Sequence, residues 1–370
     1  MGKSFFVWGL VCLVFSQAAV ADSRRKPVVY DVTGLFSSPS GEIPLIGGKS
    51  VRLNLTWGTS KVLFEDKMPG ANWEHPAMFR VVNGNGKVTQ EVAVSRPPQN
   101  LEGATVLSGV SPFNAESPKF TLDTFGGKYK VADPTKYHAI LINGHADLRH
   151  WNDHSFLYRV LTQIYGYDRA NIIVVDGVYK DSKPDLDEDG KNDIAYSSTI
   201  QGITDAMTAL KEKVKPGDSL LLSVNDHGGR IGNESTIIAY DGEVKASEFA
   251  KLLSEIKAEK VLTLYEQCHS GGFVRPSTGR NRVSMAAARE DEYSWASTDL
   301  NWDEWIYHVI VAFARQTHDG KAVDADKNRD DRISVTEAFS YSVAQDVAFE
   351  SPLLESHANT GTAINLGVNF

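Results

Sequence analysis

The chain has 370 residues, of which 42% are hydrophobic and 23% charged, with a formal net charge of −9. These proportions are those of an ordinary globular protein and exclude wholesale disorder. Net acidity without a basic stripe excludes the usual nucleic-acid footprint, so no nucleic-acid partner is expected.

The first residues read as an export signal. Lys3 gives a basic start, an apolar run from Phe5 to Phe15 follows, and Ala19-Val20-Ala21 has the small-x-small form of a cleavage site. Residues 1–21 are therefore expected to be removed. The run is shorter than the roughly 20 residues that span a bilayer, and no other run approaches that length. The mature chain is expected to be exported, periplasmic or secreted, without a transmembrane segment. Of the two cysteines, Cys12 leaves with the signal and Cys268 stays. A single thiol in an exported protein is an oxidation liability and needs a reason.

Residues 22–130 read as a small all-β domain. Asp22 to Lys26 form a solvated tether. Val51 to Trp57 alternate with period two. Phe79–Val82 run into Asn83-Gly84-Asn85-Gly86, and Lys87–Val94 follow, which predicts a hairpin. This unit reads as a packing module or a pro-segment, and nothing in it names a ligand.

The pattern changes at about Tyr137, and residues 135–370 form the second predicted domain. Strand-like runs at 139–142, 172–175, 220–224, 261–265 and 283–286 alternate with helical stretches at 154–165, 199–213, 246–256 and 304–315. Continuous Val/Ile/Leu runs mark strands covered on both faces. Their alternation with helices predicts an α/β fold with a doubly wound, mostly parallel sheet.

Ligand crevices in such sheets lie beyond the carboxyl ends of the strands. One strand ends in Asn225-Asp226-His227-Gly228-Gly229, another in Glu266-Gln267-Cys268-His269-Ser270-Gly271-Gly272. As parallel neighbours they project His227 and Cys268 from the same edge. An imidazole beside a thiol raises the thiolate fraction, which nucleophilic attack requires. Gly228 permits close approach of a substrate backbone, and its N–H, with that of Cys268, is a candidate oxyanion donor.

These paired strand-end motifs resemble the clan CD cysteine peptidases, the caspase and legumain relatives, and within them the legumain (C13) family. Asn225-Asp226-His227-Gly228 resembles that family's catalytic-histidine motif. Glu266-Gln267-Cys268-His269-Ser270-Gly271 resembles its nucleophile motif, and Arg149-His150-Trp151-Asn152-Asp153 its Arg-His-x-x-Asp. The resemblance runs from about Tyr137 to Arg315 and omits the β domain. It implies a caspase-like fold, with His227 and Cys268 as the catalytic pair and Gly228 at the oxyanion hole. It also implies a pocket for an Asn side chain built from Arg149, Glu266 and Asp303, with Asp299 as the rival for the last position and Ser294 as a further wall. One departure is Asp147, where the family has Asn; a carboxylate there favours the imidazolium. Read from the residues alone, two carboxylates in the pocket suit a basic side chain as well as an amide, and Arg149 with Glu266 could form a structural ion pair.

Two acidic loops carry hard-cation spacing. Asp185-x-Asp187-x-Asp189-Gly190-x-x-Asp193, within 185–196, resembles the shorter extracellular calcium loops. The second, 326–337, fits the twelve-residue EF pattern. It offers Asp326, Asn328, Asp330, the carbonyl of Arg332, Ser334 and Glu337, with Asp331 where glycine is usual and a helix from about Ala338. Calcium, if bound, is expected to be structural, and none is needed for catalysis.

The sequence thus predicts an exported cysteine endopeptidase acting on peptide or protein substrates after Asn or Asp. Two alternatives stay open: a transpeptidase or ligase of the same family, and an inactive calcium-stabilised binding protein on a peptidase fold.

Overall fold

The computed structural model describes residues 23–36, 41–56, 58–114, 116–144, 147–177 and 185–356. The expected signal peptide, with Cys12, and Trp57 lie outside the described residues.

The amino-terminal region contains β1 (Val28–Asp31), β2 (Glu42–Leu45), β3 (Lys49–Arg52), β4 (Lys61–Asp66), β5 (Ala77–Val82), β6 (Val88–Val94) and β7 (Thr105–Ser108). Five of these make an antiparallel sheet in the order β6-β5-β4-β1-β7, and β2 with β3 forms a separate hairpin. The predicted hairpin is β5–β6. The alternation predicted to run on to Trp57 stops as strand at Arg52, because the Leu53 N–H turns away to the Gly41 carbonyl. Alternate side chains of β4 and β5, Val62, Phe64, Phe79 and Val81, close one core with Tyr30 and Trp73.

The second region begins with β8 (Tyr137–Ile142), α1 (Leu148–Arg159), β9 (Ile172–Val175), β10 (Ile194–Tyr196), α2 (Ile200–Lys213) and β11 (Ser219–Val224). Then come β12 (Gly228–Ile231), β13 (Glu234–Ala239), β14 (Gly242–Lys245), α3 (Ala246–Ser254) and β15 (Lys260–Tyr265). It ends with α4 (Gly271–Ser277), β16 (Arg282–Ala286), α5 (Glu304–Ala314), α6 (Val335–Gln345) and β17 (Leu353–Ser356). The central sheet has the order β10-β9-β8-β11-β15-β16-β17, parallel except for the antiparallel edge strand β17. It is a mixed α/β fold with a mostly parallel sheet behind an antiparallel β region.

Successive residues of each central strand enter opposite cores. Leu141, Leu221, Leu262 and Leu264 pack under α1 and α5, while Ile140, Ile142, Leu222 and Val224 pack under α2 and α3. Full burial of each such side chain stabilises by roughly 1.5–3 kcal/mol. Two details differ from the sequence reading. The first helix starts at Leu148 instead of His154, because its first turns bury Arg149, His150, Asn152 and Asp153 in the site and so lack an apolar period. The crossover from β11 to β15 carries the antiparallel β12–β14 excursion as well as α3.

Candidate active site

The registers of the central strands set the site. Val224 at the end of β11 is level with Ile142 of β8 and Tyr265 of β15. His227 and Cys268 each follow three residues beyond that level, at the carboxyl edge. Gly228 is required by packing: a Cβ there would land on the main-chain carbonyl of Cys268. His269, at φ 61°, turns the chain towards α4, and its Nδ1 donates to the Glu290 carbonyl, 3.1 Å, away from the nucleophile.

Asp147 stands at the amino end of α1 without capping it. Its carboxylate lies 3.2 Å from His227 Nε2 and 3.3 Å from Arg149. The other ring nitrogen, Nδ1, accepts the Trp73 N–H at 3.1 Å. An accepting Nδ1 fixes the neutral tautomer, with its proton on Nε2 facing Asp147. The residue that departs from the family pattern is thus the partner of the histidine.

Cys268 is fully buried, and what buries it includes the β4–β5 loop of the amino-terminal region. Its thiol donates to the Asn72 carbonyl, and Sγ accepts the Ser294 N–H at 3.3 Å. Burial pushes the thiol well above its ordinary pKa, so in this arrangement it is protonated.

The Asn72 side chain fills the predicted specificity pocket. Its Oδ1 accepts from Arg149 at 2.6 Å and from His150 Nε2 at 3.2 Å. Its Nδ2 donates to Ser294 Oγ at 2.9 Å, to Asp303 Oδ1 at 3.3 Å and towards the Glu266 carbonyl at 3.5 Å. Arg149, Asp303 and Ser294 are therefore brought together. Glu266 differs from expectation, since it faces Asn72 through its main-chain carbonyl. Its carboxylate turns to the Ile306 N–H at 3.0 Å, so no Arg149–Glu266 ion pair forms. Arg149 pairs instead with Asp147 and with Asp303, the latter at 3.0 Å. The rival Asp299 accepts from Ser297 and Asn301 in a surface turn.

The electrostatics of the pocket follow from its dryness. Burial opposes the charge on Arg149, and Asp147 and Asp303 more than offset it, so the guanidinium stays charged. Burial raises Asp303 to about 6, against the opposing pull of Arg149. The Asp303 N–H in turn is held by Asp153 at 2.9 Å, one turn along α1 from Arg149. Asn72, Trp73 and His150 were not singled out in the sequence. His150 sits inside the Arg149–Asp153 motif, whereas nothing in the sequence marks Asn72.

The acidic loops lie elsewhere. Carboxylate oxygens of Asp185, Asp187 and Asp193 fall within 4.8 Å of one another, and Asp187 Oδ1 is buried without a hydrogen-bond partner. Arg169 already pairs with Asp187 and Asp189. In the second loop Asp326 accepts the N–H groups of Asp330 and Asp331, with Asp331 at φ 66° in the place usually held by glycine. Asn328 Nδ2 donates to Asp330, whose other oxygen accepts the Arg332 N–H. Ser334 and Glu337 form the capping box of α6, which starts at Val335, before the expected Ala338. Among the described residues, the second loop does not draw its carboxylates together as the first does.

Residues 175–348 match the family model described as the Peptidase C13 family. No curated protein matches the chain. Among the solved structures similar to this chain, two share 12% identity with it. One is a protein from Geobacter sulfurreducens, with TM-score 0.42, covering 64% of this chain and 100% of that one. The other is caspase-1 from Spodoptera frugiperda, with TM-score 0.39, covering 67% and 93%. The family match spans both strand-end motifs and stops short of Arg149, and over those residues the chain is similar to the Peptidase C13 (legumain) family.

Proposed function

We propose that this protein is an exported cysteine endopeptidase that cleaves after asparagine, with Cys268 as nucleophile and His227 as proton carrier. One observation carries the specificity. Arg149 and His150 meet the carbonyl end of the Asn72 amide, and Ser294, Asp303 and the Glu266 carbonyl meet its NH2 end. A carboxamide is the side chain that offers an acceptor and two donors at once. A lysine or arginine would set its cation against Arg149. An aspartate would set an acceptor against Asp303.

In the reaction, the thiol proton passes to His227 Nδ1 as Sγ bonds the scissile carbonyl carbon. Asp147 holds the resulting imidazolium. Nδ1 then gives the proton to the leaving amine, and water releases the thioester. The N–H groups of Gly228 and Cys268 are the proposed oxyanion donors. The test is turnover of peptides carrying Asn, Asp, Gln or Arg at the cleaved position, with Cys268→Ala alongside. Thiol-dependent cleavage after Asn is expected; cleavage after Arg would sink the pocket assignment.

Calcium at the 185–193 loop belongs to the same proposal. Asp185, Asp187 and Asp193 would hold the ion, which would neutralise their mutual repulsion and order the loop. A melting temperature that rises with calcium and returns with chelator is expected, and its absence would leave Arg169 as the loop's counter-charge.

A further inference from the structure

We propose that the β4–β5 loop, residues 67–76, is this enzyme's own built-in substrate, and that Asn72–Trp73 is the bond it cuts in itself. This rests on the peptidase reading and names its first target.

Residues 70–72 of the loop pair with the cleft edge through one isolated antiparallel bridge, between a turn at 69–70 and a bend at 73–74. The Asn72 N–H donates to the Ser294 carbonyl at 2.9 Å, the Ala296 N–H donates to the Gly70 carbonyl at 2.6 Å, and Ala71 bridges Trp295 antiparallel. A strand added to a cleft edge in this way is held by its main chain and selected by its side-chain pocket. The Asn72–Trp73 peptide group spans the catalytic pair. Its carbonyl is on Cys268 and its N–H is on His227 Nδ1. The residue proposed to attack thus touches the scissile carbonyl through its oxygen, and the residue proposed to carry the proton touches the nitrogen that would leave.

The chemistry balances without any co-reactant except water. The Cys268 thiol gives its proton to Nδ1, and Sγ bonds the Asn72 carbonyl carbon. The carbon–nitrogen bond breaks, and the Nδ1 proton goes to the Trp73 nitrogen, leaving a new amino terminus. Water then bonds the thioester carbonyl, the carbon–sulfur bond breaks, and the thiol recovers a proton, leaving a carboxylate at Asn72.

The cut alone does not empty the cleft. The base of the loop is closed by the Asp66–Ala77 pair of β4 and β5. The amino-terminal piece supplies β1 and β4, which lie between β5 and β7 of the other piece. Trp73 is 4% exposed in the β core and stacks on His75, with ring centroids 3.6 Å apart. Glu74 is held by Ser95 and the Arg230 N–H. The new Trp73 amine therefore stays beside the thioester and competes with water, so resealing opposes hydrolysis. The nicked chain remains folded and latent until the β sheet opens.

The experiment incubates the full chain as wild type, Cys268→Ala, Asn72→Ala and Asn72→Gln, and reads intact mass, amino-terminal sequence and turnover of an added Asn peptide. Wild type is expected to yield a chain beginning at Trp73, at a rate independent of protein concentration. The two pieces should co-elute under native conditions and separate in denaturant. Cys268→Ala should stay whole, alone and when mixed with wild type. A tethered occupant acts at an effective concentration on the order of millimolar, so Asn72→Ala should turn over the peptide roughly 10-fold faster or more. The Gln variant, with a longer amide, guards against a folding defect in the Ala variant. Wild type that cleaves the peptide while Asn72–Trp73 stays intact, or a Cys268→Ala chain cut readily in trans, would overturn the proposal and leave the peptidase reading standing. If neither wild type nor the Asn72 variants cleave the peptide or take up a peptidyl electrophile at Cys268, both fall.

Discussion

The two regions of this molecule meet at one edge and bring opposite things to it. The α/β region brings charge and reactivity: Arg149, Asp147, Asp303, His227 and Cys268, all buried. The β region brings a neutral amide on an extended loop whose base is closed by β4 and β5. The first arrangement is expensive, because each of its charges is dry and depends on a partner. The second is cheap, because a polar side chain is offered to groups already set to receive it. A site built this way is rigid on one side and replaceable on the other, as the proposed peptidase site requires if substrates are to take the loop's place.

That asymmetry is open to direct attack. Arg149→Met leaves Asp147 and Asp303 buried without their cation; removing one partner of such a pair typically costs about 3–5 kcal/mol. Asn72→Ala removes only a hydrogen-bonded amide, and a cost of about 1–3 kcal/mol is expected. Denaturant melts of the two variants compare them, and equal costs would break the comparison. Asp147→Asn keeps the shape and removes the charge beside His227 Nε2. Loss of a carboxylate that orients a catalytic histidine lowers kcat by roughly 10^2–10^4. An unchanged kcat with a raised KM would instead make Asp147 a pocket residue acting through Arg149.

A further test uses Asp303, whose carboxyl burial pushes up to about 6. Above that pH it is ionised and accepts from an amide while repelling a carboxylate. Below it, the protonated form donates to a carboxylate. The ratio of cleavage after Asp to cleavage after Asn is therefore expected to rise as pH falls through about 6, by at most about tenfold per unit. A ratio flat across that window would show that Asp303 does not titrate against the substrate.

The same asymmetry explains what was legible beforehand. The strands of the α/β region are continuous apolar runs because both faces are buried, and such runs read plainly. His227, Cys268 and Gly228 sit where those strands end, so order and spacing placed them. Arg149 and Asp303 came from the resemblance, and the carboxylate of Glu266 was misplaced because a motif gives a residue and not the direction its side chain takes. The amino-terminal half of α1 was missed because it buries polar groups where a surface helix buries leucines. Asn72 was invisible for a different reason. Its role depends on two segments far apart in the chain meeting in space, and no local pattern records that.

A last test lies under the loop itself, where His75 and Asp66 face each other in the dry base at 3.7 Å. Burial holds His75 down to about 3 and Asp66 up to about 7. Unfolded, they titrate near 6.5 and 3.9. Between about pH 6.5 and 3 the unfolded chain binds the proton that folded His75 refuses, so His75 removes stability as pH falls. Between about 7 and 4 folded Asp66 holds the proton that the unfolded chain has lost, so Asp66 adds stability as pH falls. Each slope is at most about 1.4 kcal/mol per pH unit, and over the shared window they oppose one another. Asp66→Asn should therefore lose stability more steeply than wild type as pH drops from 6.5 to 4, and His75→Gln less steeply. His154, buried and also held down to about 3, adds the same acid loss to all three proteins and cancels in the comparison. Melts at pH 7, 5.5 and 4.5 decide it. If both variants run parallel to wild type, the two groups titrate alike folded and unfolded. The base of the loop is then wet, and the loop that closes the cleft is held by Asn72 and its neighbours more than by the β core beneath it.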